Sequence, residues 1–297
     1  MNNTKIWLLA ALSALAACSN DDERETTGPE QSERQAFVAD EGEIVLQMVH
    51  PGAVTRATET AFEATDSIGV FVTQGDASLQ IAGNEVNNEL FTYNGTSWSS
   101  KRRVYWNNGH HNVYAYYPYA KRVADIGDYP FQVQANQNTA WGLTRSDFLW
   151  ASQAGVAASA NPVSMQFAHK LSKVVIVLQK GENYTGDIPL ETEVYVHSTV
   201  TKALVDLSTG DVAKDDYAGT GSIRAFQNAA TQYTAIVVPQ NITTRRPLVE
   251  VVTGGVSYLM EGKISLKPGM QHTITVTLDK NAEQTKIDIG GEIGDWQ

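Results

Sequence analysis

The chain is 297 residues long, carries 33 acidic against 22 basic residues for a net charge of -11, and contains a single cysteine. That acidity excludes a nucleic-acid partner, since neutralising phosphates takes clustered Lys and Arg. Short basic groups such as Lys101-Arg102-Arg103 and Arg245-Arg246 read instead as solvated turns. One cysteine excludes an internal disulfide, and the length allows one large or two ordinary domains with real cores.

Lys5 precedes the apolar run Ile6-Trp7-Leu8-Leu9-Ala10-Ala11-Leu12, followed by Leu15-Ala16-Ala17-Cys18 and the polar tract Ser19-Asn20-Asp21-Asp22-Glu23. A charged start, a short apolar core and small residues before a cut site predict a secretory signal over residues 1–17. The run falls short of the roughly 20 apolar residues that a spanning helix needs. Leu-Ala-Ala-Cys resembles a bacterial lipobox, which predicts a cut between Ala17 and Cys18 and acylation of the Cys18 thiol. The acidic residues behind Cys18 resemble the export signal of lipoproteins displayed on the outer face of an outer membrane. Residues 18–42 are rich in Glu, Asp, Thr, Gln and Ser. Such a stretch buries too little apolar surface to offset its ordering entropy and is expected to be a flexible tether.

Beyond it the period is two. Tyr129-Pro130-Phe131-Gln132-Val133, Val163-Ser164-Met165-Gln166-Phe167 and Thr273-Ile274-Thr275-Val276-Thr277-Leu278 alternate in polarity, which predicts strands with one dry face. Ile68-Gly69-Val70-Phe71-Val72, Val174-Val175-Ile176-Val177-Leu178 and Ala235-Ile236-Val237-Val238 are continuously apolar, which suits strands covered on both faces. Turn signals such as Asn94-Gly95, Thr209-Gly210-Asp211, Gly254-Gly255 and Lys267-Pro268-Gly269 separate the runs. Many short strands with frequent turns predict an all-β fold of two sandwiches, over residues 43–158 and 159–297. The small-residue stretch 151–162 is the expected linker between them.

Chemistry is sparse. The sequence has no Gly-x-Ser-x-Gly elbow, Walker loop, dinucleotide fingerprint or His-Glu-x-x-His motif, so no catalytic set, cofactor or metal site is expected. His110 and His111 are adjacent, and neighbours on a strand point to opposite faces, which rules out joint chelation. Asp125-Ile126-Gly127-Asp128 reads as a turn rather than a calcium loop. The aromatic group around Trp106 and Tyr114 reads first as core. A non-polymerising surface lipoprotein that stacks glycans on those rings is the alternative function.

Taken in order, several blocks resemble the fimbrillin-like lipoproteins of Bacteroides and relatives, the subunits of type V pili. They are the lipobox at Cys18; Thr55-Arg56-Ala57-Thr58; Asp66-Ser67-Ile68-Gly69-Val70-Phe71; Val104-Tyr105-Trp106; Val113-Tyr114-Ala115-Tyr116-Tyr117-Pro118-Tyr119; Asp147-Phe148-Leu149-Trp150-Ala151; and Phe167-Ala168-His169-Lys170-Leu171-Ser172-Lys173. The resemblance implies two tandem transthyretin-like β-sandwich domains and a role in adhesion. It also implies a cut between Arg56 and Ala57 that removes an upstream strand, here the stretch bearing Ile44, Leu46 and Met48. The vacated groove then takes a strand from a neighbouring subunit. Implied partners are other fimbrial subunits in a homo- or heteropolymer, the outer membrane through the lipid, and host or bacterial surface ligands. The C-terminal residues Ile287, Ile289, Ile293 and Trp296 are a candidate donor strand, with the last strand of its own sandwich as the competing reading. The triplet Asp66-Ser67-Ile68 resembles an O-glycosylation acceptor, and a turn at a strand edge explains it equally.

Overall fold

A computed structural model describes residues 42–54, 61–280, 285–291 and 293–296. Apolar–polar alternation becomes strand almost throughout. The first half gives β1 (Leu46–Val49), β2 (Ser67–Gln74), β3 (Val86–Tyr93), β4 (Trp98–Ser100), β5 (His110–Tyr117), β6 (Tyr129–Gln132), a short helix α1 (Ala140–Thr144), β7 (Leu149–Ala157), β8 (Val163–Gln166) and β9 (Ala168–His169). The second half gives β10 (Ser172–Lys180), β11 (Glu193–Val200), β12 (Lys202–Val205), β13 (Val212–Lys214), β14 (Thr220–Arg224), β15 (Phe226–Ala229) and β16 (Gln232–Val237). It ends with β17 (Gln240–Thr253), β18 (Val256–Leu266), β19 (Met270–Leu278), β20 (Lys286–Asp288) and β21 (Ile293–Asp295).

In the first half the order β4-β3-β2-β5-β7-β9 forms one sheet, and β1 pairs with β8 in a separate parallel ribbon. The second half builds β15-β16-β10-β19-β20, with β21 also on β19, and β14-β11-β17-β18. Strand β6 leaves its neighbours in sequence and joins β12, with Phe131 opposite Ala203.

Two apolar clusters hold this together. The first draws on residues 44 to 167, including Ile44, Leu46, Ile68, Val70, Val72, Val113, Ala115, Leu149 and Met165. The second is larger and is built mainly from β10, β11, β16, β17 and β19, with Phe71, Tyr116 and Phe148 added from the first half. Side chains alternate across a strand, so β2 sends Ile68, Val70 and Val72 to one cluster and Phe71 to the other. On β5, Val113, Ala115 and Tyr117 face the first cluster and Tyr116 the second. The unbroken apolar run on β2 therefore reflects a sheet with an interior on each side. In the second half, β10 lies between antiparallel β16 and parallel β19, and Val174, Val175 and Ile176 are all buried.

The stretch 151–162 is not a linker. Its first seven residues belong to β7, which pairs along β5, and the chain then returns as β8 against β1. Its small polar composition reflects an exposed strand end, since Ser152 through Gly155 are exposed while Ala151 packs inward.

Candidate functional site

The N-terminal stretch 42–50 is threaded between two other pieces of backbone. On one side Trp106 N donates to Gly42 O at 2.6 Å, Ile44 N donates to Val104 O at 2.8 Å, and Glu43 bridges Tyr105 in antiparallel fashion. Further along, Val163 N donates to Val45 O at 2.9 Å and Phe167 N to Val49 O at 3.0 Å, as β1 runs parallel to β8 with Leu46 opposite Val163 and Met48 opposite Met165. Period two selects what is buried. Ile44 and Leu46 lie inside the first cluster, Met48 packs against it, and Gln47 is exposed. Burial of Ile44 and Leu46 stabilises the seated segment by ~1.5–3 kcal/mol each. The outer edge of β1 borders a groove of about 520 Å³ lined by Met48, Phe62, Tyr93 and Trp98, with Phe62 edge-on to Trp98 at 5.0 Å.

Where β1 ends, a cavity of about 100 Å³ opens among His50, Phe62, Asp66, Tyr117, Asp147, His169 and Trp296. His50 Nδ1 accepts from Gly52 N at 3.1 Å, so that nitrogen carries no proton. Burial pushes the imidazole down to about 4, against the opposing pull of the Asp147 carboxylate. His169 holds Asp147 through Nδ1 at 3.0 Å. Burial raises the Tyr117 phenol above its ordinary value, and its hydroxyl donates to Asp66 Oδ1 at 3.2 Å. From the sequence Trp296 was named only as part of the candidate donor strand and Asp66 only within the Asp66-Ser67-Ile68 triplet, and neither was placed beside His50, Asp147 or His169. His50, Asp66, Asp147, His169 and Trp296 lie far apart along the chain, and the blocks containing Asp66, Tyr117, Asp147 and His169 drew notice only as points of resemblance.

The C-terminal segment lies on its own chain. β20 and β21 both pair antiparallel with β19, Ile287 with Val276 and Ile293 with His272. Ile287 and Ile289 pack against the larger cluster, Ile293 is half exposed, and Trp296 is buried. Two glycines admit this segment. A Cβ at Gly262 would collide with Ile289 Cδ1, and one at Gly291 would collide with Thr273 O.

Ala17, Cys18, Arg56 and Ala57 lie outside the described residues. His111 is buried beside Glu85 at 2.9 Å while His110 is exposed near Asp76, so the two do point apart. Asp125 Oδ1 accepts from Gly127 N at 2.9 Å and Asp128 N at 3.2 Å, which makes that stretch a turn. The aromatic group follows its first reading, as core. Trp106 is buried with Nε1 donating to Ser159 O at 3.1 Å, and Tyr114 is partly buried against the larger cluster, while neighbouring Tyr105 is half exposed. Asp66 Oδ2 accepts from Glu63 N at 2.8 Å, closing a turn at the start of β2. On the outer face of the second half, Ser222 Oγ meets His197 Nδ1 at 2.7 Å and His197 Nε2 meets Glu250 Oε2 at 2.9 Å. Ser257 Oγ donates to the other Glu250 oxygen at 2.6 Å, so the row is a satisfied cross-strand network. Among the described residues there is no cluster of three metal-ligating side chains and no helix long and apolar enough to cross a membrane.

Comparison with known proteins adds a family. The profile described as fimbrillin-like matches residues 55–296. A Bacteroides ovatus protein provisionally named fimbrium tip subunit Fim1C is 30% identical over 158 residues, covering 46% of this chain and 29% of that protein. The chain thus aligns with under a third of that relative's length. A Bacteroides uniformis protein provisionally named fimbrium subunit Fim1C is 24% identical over 98% of this chain and 94% of its own. Crystal structures of proteins provisionally assigned to cell adhesion share the fold. One from Bacteroides ovatus has a TM-score of 0.69 at 22% identity over 86% of this chain and 97% of that one. One from Bacteroides uniformis has a TM-score of 0.67 at 20% identity over 86% of this chain and 98% of that one.

Proposed function

This chain belongs to the fimbrillin-like family, and from that premise we propose that it is an adhesive subunit of cell-surface fimbriae that joins its neighbours by strand exchange. The observation that carries the reading is the seat of residues 42–50. A short extended segment just upstream of Arg56 supplies buried side chains and ladder hydrogen bonds to a body built otherwise from later residues. Were it removed, the unpaired edge of β8 and the emptied sites of Ile44, Leu46 and Met48 would form a groove for a strand from another chain.

In this reading the leader is removed before Cys18, the lipidated chain reaches the outer face of the outer membrane, and a protease cuts between Arg56 and Ala57. The two apolar clusters correspond to two transthyretin-like sandwiches. Other fimbrial subunits supply the incoming strand, and the C-terminal segment of β20 and β21, paired on the edge of β19, is the candidate strand given in return. The names carried by the Bacteroides ovatus and Bacteroides uniformis relatives support a place in the fimbrium.

Mass spectrometry of the mature N-terminus, with electron microscopy of the processed protein, tests the reading. A start at Ala57 together with filaments is expected. A protein that keeps residues 42–56 in assembled fimbriae would overturn strand exchange.

A further inference from the structure

The two ends of the described chain meet at one side chain. The His169 ring lies flat on Trp296, with centroids 3.8 Å apart and planes 8° apart. His50, just beyond β1, stands edge-on to the same ring at 5.8 Å and edge-on to Phe62 at 5.0 Å. Asp147 fixes His169 through Nδ1 at 3.0 Å, while Nε2 is buried without a hydrogen-bond partner. An unpartnered buried polar atom is held at a cost and gains by meeting water. His50 lines the cavity of about 100 Å³ beside it. On the far side, Trp296 N donates to Gly269 O at 2.9 Å and Lys173 Nζ lies 5.9 Å from the indole centroid. The Trp296 ring is therefore the anchor of the last described strand.

We propose that His169 is a positioning residue that makes the hold on the C-terminal segment depend on the N-terminal one. With residues 42–50 seated, His50 stands edge-on to His169 and shields Nε2 while the ring lies flat on Trp296. When the segment leaves, water reaches Nε2, and turning that nitrogen toward solvent breaks the flat stack. Residues 286–296 then loosen from β19. The order is one-way: the C-terminal segment becomes available only after the N-terminal one has gone. The coupling stands on these contacts alone, and it rests on the strand-exchange reading only for its use in assembly.

Hydrogen–deuterium exchange of the leaderless chain tests it. His50→Ala should speed exchange of residues 286–296 by about 5-fold, the loss of one aromatic contact, while β10 and β16 stay unchanged. Met48→Ala removes packing from the same strand without touching His50 and should leave the C-terminal peptide slow. His169→Phe keeps a flat ring but deletes Nε2, so His50→Ala in that background should have no C-terminal effect. Unchanged exchange at 286–296 in His50→Ala, with peptides around Phe62 speeding up, would overturn the coupling. So would equal acceleration everywhere, or acceleration that persists with His169→Phe. Filament formation without these changes would leave strand exchange intact and remove the coupling. The changes without filaments would do the reverse.

Discussion

Acid should loosen the N-terminal segment through His50. Burial lowers this histidine from its ordinary 6.5 to about 4, and Gly52 N donates to the nitrogen that protonation would use. The sign follows from proton counting. Between about pH 6.5 and 4 the unfolded or detached histidine binds a proton that the seated one refuses, so stability falls as the pH falls. Above about pH 7.5 both forms are neutral and the effect vanishes. A drop from 6.5 to about 4 converts, at ~1.4 kcal/mol per unit, to at most ~3.5 kcal/mol. The ring is only half-buried, and solvent screening reduces the expected loss to ~1.5 kcal/mol. Urea unfolding of the leaderless chain, followed by circular dichroism from pH 4.5 to 7.5, measures this against His50→Asn. Asn keeps an acceptor for Gly52 N but does not titrate. The difference between the two curves should flatten toward pH 7.5 and close steadily below about pH 6.5. Curves that run parallel through the whole window would refute the argument.

Two further outcomes follow from the packing. Leu46→Ala should cost ~3 kcal/mol by leaving a cavity in the first cluster, and urea midpoints check it; a loss under ~1 kcal/mol would mean that β1 contributes little to the body. Gly262→Ala should push Ile289 off its seat at a cost of ~1–2 kcal/mol and expose residues 285–291 to limited proteolysis, and adding Ile289→Ala should restore resistance.

The strand content was legible because alternation is local: Thr273 to Leu278 and Val163 to Phe167 announce their dry faces in six or five residues. The continuous run at Ile68–Val72 also announced two covered faces. What covers them was not legible, since the Ile68 side is completed by Leu46 and Met165 and the Phe71 side by strands of the second half, none of them joined to β2 by a turn signal. The same holds for the parallel pairs of β1 with β8 and β10 with β19, which no turn signal joins. The stretch 151–162 misled because small polar side chains mark an exposed strand end as well as a linker. Trp106 and Tyr114 read first as core, but aromatic density serves interiors and sugar-stacking surfaces alike, so the sequence kept both readings. At the cavity, His50, Asp147, His169 and Trp296 share no spacing rule; only tertiary structure assembles them.

The sheet bearing β2 and β5 has a room on either side, and it cannot be emptied on one side without stripping the wall of the other. Melting is accordingly expected as one event. A fibre built of such subunits would, under tension, hold its length until a whole subunit yields, rather than paying out slack one domain at a time.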